Sequence, residues 1–128
     1  MFTQLLQYND IGLLLLRIAI AIIFLYHSLP KLSKPKAMSA MVGMPAGMIF
    51  MLGMIEAVAS LGLVLVFGVY TQLSALILAI VMVGAIGMKV MKWGVPFAAM
   101  DKTGWEFDLI LLFASIAILL GGGGSIGI

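Results

Sequence analysis

The sequence predicts an all-α integral membrane four-helix bundle, with residues 1–128 as one domain, and three observations carry that prediction. The chain is 64% hydrophobic and 9% charged, with a mean hydropathy of +1.27. Soluble domains carry about a quarter charged residues, and a soluble fold of this size has no core large enough for so much apolar surface. The apolar residues also form long stretches, such as IGLLLLRIAIAIIFLY and LILAIVMVGAIGM, without the polar stripe that a helix facing water needs. Finally, the basic residues gather in the connections between those stretches.

A spanning helix needs about 20 apolar residues. The first span is predicted over Ile11–Leu29, stopped by Pro30. The N-terminal MFTQLLQYND has no basic region and no small-residue cleavage site, so this span is expected to be retained rather than cleaved as a signal peptide. The second span is Met48–Phe67, with Pro45 just before it. The third runs from about Tyr70 to Val90, and the fourth, shorter, from about Gly104 to Leu120, ended by the Gly121–Gly124 run. Gly53, Ala57, Ser60 and Gly62, then Gly84 and Gly87, supply small residues that let helix backbones approach closely in lipid.

The connections set the expected orientation. The first carries Lys31, Lys34 and Lys36, and the third carries Lys89, Lys92 and Lys102 with Asp101. The N-terminal tail, the Gly68–Val69 connection and the C-terminal tail have no Lys or Arg. Positive charge stays in the cytoplasm. A multi-pass protein of the cell membrane follows, with loops 30–47 and 91–103 cytoplasmic and both termini outside. Lys89, Lys92, Trp93 and Trp105 are expected to anchor at the headgroups.

Two charges then need an explanation. Arg17 lies in the middle of the first span and Glu56 in the middle of the second. A charge at bilayer depth costs several kcal/mol unless it is paired or reaches water. Arg17, Phe24, His27 and Lys31 fall within a stripe of roughly 80° on a regular helix. Such a stripe must face the bundle interior. The expected arrangement is an Arg17–Glu56 ion pair at the floor of a polar funnel, with His27, Lys31, Glu106 and Asp108 nearer its cytoplasmic mouth. Glu106 and Asp108 are two residues apart, so only one of them can face the core fully.

Several chemistries are excluded. Zero cysteines remove disulfides and thiolate metal sites. One histidine cannot ligate a membrane haem on both sides, and no phosphate loop or metal spacing is present. Neither haem, flavin nor metal is expected in this chain, and nothing suggests nucleic acid as a partner. A quinone needs only an apolar slot, an aromatic wall and a few donors at its carbonyl oxygens.

A series of motifs adds to this reading. In order they are R-x6-F-x2-H-x3-K-L at Arg17, Phe24, His27, Lys31 and Leu32; G-x-P at Gly43 and Pro45; and G-x2-E-x5-G at Gly53, Glu56 and Gly62. Gly68, Thr71 and Ala75 follow, then Gly104, Glu106 and Phe107. In order and spacing the chain resembles the DoxX family of small four-span membrane proteins over nearly all of residues 11–127. It departs at Gln72, where the family commonly has a basic residue, and at its glycine-rich end with Ser125. The resemblance implies a redox-associated membrane subunit. Some members of the family are linked to thiosulfate or quinol oxidation and others to oxidative-stress complexes.

The expected function is thus binding of a quinone or other small molecule in a cytoplasm-facing site within an oxidoreductase system. Arg17, His27 and Glu56 would hold the headgroup, Phe24 would flank it, and Glu106 or Asp108 would relay protons. The alternatives are a small transporter or channel, and a structural subunit in which the ion pair fixes helix register. The lipid bilayer is the surrounding partner, and a homo-oligomer or a larger membrane complex is expected.

Overall fold

The computed structural model describes residues 2–65 and 69–121. Of the predicted features, Phe67, Gly68, the glycines after Gly121 and Ser125 lie outside the described residues. The described chain is all-α: a 3₁₀ turn, Thr3–Tyr8, leads into α1, Asn9–Ser33, followed by α2, Pro35–Val42, α3, Ala46–Leu65, and α4, Val69–Gly87. A π-helical turn, Met88–Lys92, prolongs α4, and α5 is Trp105–Gly121. Helix α1 packs on α3, α3 on α4, α4 on α5, and α5 back on α1, so the four long helices surround one core. The 3₁₀ turn with α1 (Thr3–Ser33), α3 over Ala46–Leu63 and α4 with its π turn over Tyr70–Lys92 are each long and apolar enough to cross a membrane. Helix α5 is shorter, at 17 residues.

Burial follows helical periodicity. On α1 the buried residues are Arg17, Ile20, Ala21, Phe24 and Ser28, whereas Leu15, Ile22, Tyr26 and Leu29 on the opposite face are exposed. An outer face of large apolar residues is what a bilayer solvates. The core is Ile20, Phe24, Ala59, Leu63, Ala75, Leu78, Met82, Leu111 and Ile118.

The first span does not stop at Pro30. Helix α1 runs through Pro30 to Ser33. One proline in a last helical turn removes a single backbone hydrogen bond, which membrane helices accommodate. The stop is Pro35, because a residue before proline is pushed out of the α region: Lys34 has φ −135° and ψ 56°. Pro35 then opens α2 at a position where its missing N–H is not needed. Helix α2 was not foreseen within the first loop. It ends at Gly43, whose φ of +75° is left-handed, with the Gly43 N–H donating to Ser39 O at 3.0 Å.

Helix α5 starts against backbone. The Trp105 and Glu106 N–H groups donate to Pro96 O at 3.2 Å and Phe97 O at 3.0 Å, so loop carbonyls satisfy donors that a side-chain cap would otherwise take. This close return needs Gly104, since a Cβ there would lie 2.2 Å from Phe97 O.

Candidate functional site

The helices enclose a cavity of about 680 Å³ near the lysine-rich end. Ligand sites for small molecules span about 300–1,000 Å³ and are mostly apolar with a few placed polar groups. Here the apolar wall includes Phe24, Met82, Phe107 and Leu111, and the charged groups are Lys31, Glu56, Lys89 and Asp108. His27 also lines it.

Helical stripes deliver all four charges, Glu56 lying on the buried face of α3 with Ile49, Ser60 and Leu63. Lys31 continues the buried face of α1 one turn beyond Ser28. On α4 the buried positions Thr71, Ala75, Leu78 and Met82 lead, at helical spacing, to Lys89 in the π turn. On α5, Asp108 begins the buried stripe Leu111, Ser115 and Ile118. A π turn re-aims the side chains it carries and is frequent at functional sites.

The charges form two ion pairs. Lys31 Nζ donates to both carboxylate oxygens of Glu56, at 2.7 and 2.6 Å. Lys89 Nζ lies 2.6 Å from Asp108 Oδ2, although Oδ2 makes no hydrogen bond of good geometry. Lys89 also donates to Thr103 Oγ1 at 3.2 Å. Its Nζ sits 5.9 Å from the Phe107 ring centroid, within cation–π range. The His27 ring meets Phe107 at 5.4 Å, edge to face.

Glu56 is therefore paired with Lys31, where the sequence predicted Arg17. Helix register explains the correction. A Cβ at Gly53 would lie 2.8 Å from Lys31 Cβ, so Gly53 and Lys31 share a level in the antiparallel pair α1–α3. Arg17 is fourteen residues back along α1, about 21 Å away. That puts it level with the far end of α3, well away from Glu56. The sequence places both charges in mid-span and so at one depth, whereas α1 continues past Leu29 to Ser33 and Lys31 lies level with Gly53. Arg17 is fully buried in the bundle and does not line the cavity.

Of the other predicted site residues, Phe24, His27, Lys31, Glu56 and Asp108 line the cavity. Glu106 is exposed and outside it. Asp108 is thus the member of the pair that faces the core. Sequence reasoning missed Lys89 and Phe107. It read Lys89 as a headgroup anchor, although the α4 stripe that leads to it was present in the sequence.

The loops close over this end. Met38, Val42 and Met44 from the α2 region and Trp93 line the cavity. Trp93 Nε1 donates to Val42 O at 3.3 Å, and Lys92 Nζ to Gly43 O at 3.4 Å. Both reach carbonyls at the C-terminus of α2, where donors and positive charge are favoured.

A family model described as DoxX matches residues 12–92. The chain belongs to the DoxX family. A curated relative from Bacillus subtilis (strain 168), named "Putative oxidoreductase CatD", is 32% identical over 116 residues, covering 88% of this chain and 81% of its own length. No solved structure matches. In this DoxX protein the matched stretch carries Phe24, His27, Lys31, Glu56 and Lys89, and Asp108 lies beyond it.

Proposed function

We propose that this DoxX-family membrane protein binds a quinone, or a small molecule of similar ring and polar edge, as a subunit of an oxidoreductase system. The observation that carries this reading is an apolar cavity of about 680 Å³ faced by two ion pairs. Phe24 and Phe107 supply ring walls, and His27 stands beside Phe107. Lys31 and Lys89 supply donors for carbonyl oxygens, and Glu56 and Asp108 can hold protons next to them. A quinone couple exchanges electrons together with protons, and this chain would bind, orient and protonate while electrons come from a partner. The name of the Bacillus subtilis relative supports an oxidoreductase setting.

Trp93 lines the cavity and gives a direct readout. Titration of the detergent-purified protein with a short-chain quinone should quench Trp93 fluorescence saturably. Asp108→Asn should weaken that binding at least tenfold, about 1.4 kcal/mol. Quenching that is linear in quinone, and equal in wild type and Asp108→Asn, would falsify the reading.

The lysine-rich end is assigned to the cytoplasm, with both termini outside and loops 30–47 and 91–103 inside. The chain has no cysteine of its own, so Met41→Cys, at an exposed position of α2, reports sidedness cleanly. In intact cells a membrane-impermeant maleimide should leave it unlabelled and should label it once the membrane is opened. The exposed apolar sides of the bundle would face lipid, further copies of this chain or a larger complex.

A further inference from the structure

The cavity is not closed on all sides. Its wall between α3 and α4 includes Ile55, Ile80 and Gly84, all of which also lie on the exposed outer surface of the bundle. A Cβ built on Gly84 meets nothing within 4 Å, so open space stands there. A second hollow of about 460 Å³ runs between the same two helices. It shares Ile55 and Ile77 with the first and continues past Val58, Ala59 and Gly62 to Tyr70. Small residues make the floor: Ala59, Gly62 and Ser74 hold the helices close there, and a Cβ at Gly62 would lie 2.1 Å from Ser74 Oγ. From Ile55 to Gly62 the hollow follows two turns of α3, about 10 Å.

The two hollows differ in character. Among the residues lining the two hollows, the charged ones stand at the lysine-rich end, and Ser74 and the Tyr70 hydroxyl are the polar side-chain groups along the second hollow. A molecule that fits both has a polar ring at one end and a linear apolar chain at the other.

We propose that the ligand is an amphiphile that enters sideways from the bilayer between α3 and α4. Its ring occupies the charged cavity and the first part of its alkyl or isoprenoid tail lies in the α3–α4 groove, from Ile55 past Val58 toward Tyr70. This rests on the quinone-type reading of the charged cavity and adds the class of tail and the route of entry. The lateral opening explains how a water-insoluble ligand reaches a site whose lysine-rich end is covered by α2 and Trp93.

The test compares a quinone without a tail, the same ring with a decyl tail, and the decyl compound carrying a photoreactive group at the tail end. Binding is read by equilibrium dialysis in wild type, Val58→Trp and Leu73→Trp, both substitutions lying at the exposed rim of the groove. Wild type should bind the decyl compound at least tenfold more tightly than the tail-less ring. Val58→Trp should lose that gain and bind the tail-less ring as wild type does, and the photoreactive tail should crosslink to peptides holding Val58 or Leu73. Equal affinity of both compounds for wild type, or a tail gain untouched in both Val58→Trp and Leu73→Trp, overturns the groove while leaving the ring site standing. Absence of saturable binding by either compound overturns the ring site and the groove together.

Discussion

Lys31 and Glu56 join two continuous helices, whereas Lys89 and Asp108 join a π turn to the first turn of α5. The first pair is tight on both sides. Both Glu56 oxygens accept from Lys31, Glu56 is 2% exposed, and the Lys31 stem lies against Gly53. In the second pair one carboxylate oxygen lies beside Lys89 without a hydrogen bond of good geometry, and Lys89 donates to Thr103 instead. A fully engaged pair between rigid helices fixes register. A loosely held pair on a π turn can exchange partners at low cost. The cavity thus has one wall built for stability and one suited to meeting a ligand.

The largest effect should come from breaking the first pair. Lys31→Met leaves the Glu56 carboxylate buried without its cation, and loss of one partner of a buried pair costs about 3–5 kcal/mol. Thermal unfolding in detergent should show a marked drop for Lys31→Met, and Lys31→Met/Glu56→Leu should regain most of it. A double variant as unstable as the single one would contradict the clamp. By contrast, Asp108→Asn should cost only about 1–2 kcal/mol of stability, its main effect being on ligand binding.

Gly53→Ala attacks the same clamp without touching a charge. Its Cβ would come within 2.8 Å of Lys31 Cβ and 3.1 Å of the Leu32 side chain. These are stem atoms fixed by helix packing, so α1 and α3 must separate, a cost of about 1–3 kcal/mol. The test is whether Gly53→Ala/Lys31→Met is less than additive, as it should be if Gly53 serves the lysine.

The fold was legible because it rests on pattern. Long apolar runs, their lysine-rich connections and the order of DoxX motifs need no knowledge of contacts. The stripe Arg17, Phe24, His27 and Lys31 was legible in part from helical geometry alone: Arg17 and Phe24 are buried and Lys31 half-buried, while His27, at the stripe's edge, is exposed although it lines the cavity. The partner of Glu56 was not, because pairing depends on the register between helices. Register is set by Gly53 against Lys31 and by where α1 ends, and Pro30 misplaced that end. Lys89 was hidden for another reason: a lysine just past an apolar run looks the same whether it meets headgroups or turns inward, and the π turn decides which.

The smallest effect should come from the opposite end of the bundle. Gln72 Nε2 donates to Leu119 O at 2.9 Å, tying α4 to the last turn of α5. Carbonyls in a last helical turn lack donors from their own helix, so a side-chain donor there is worth about 0.5–1.5 kcal/mol. Gln72→Leu should lower stability by about 0.5–1.5 kcal/mol, and Gln72→Arg should retain it. Neither should alter quinone quenching of Trp93, because Gln72 does not line the cavity. If Gln72→Leu weakens binding of the tail-less quinone as much as Asp108→Asn does, the ring site extends to the far end of the bundle, and the division between a ring-binding end and a structural end fails.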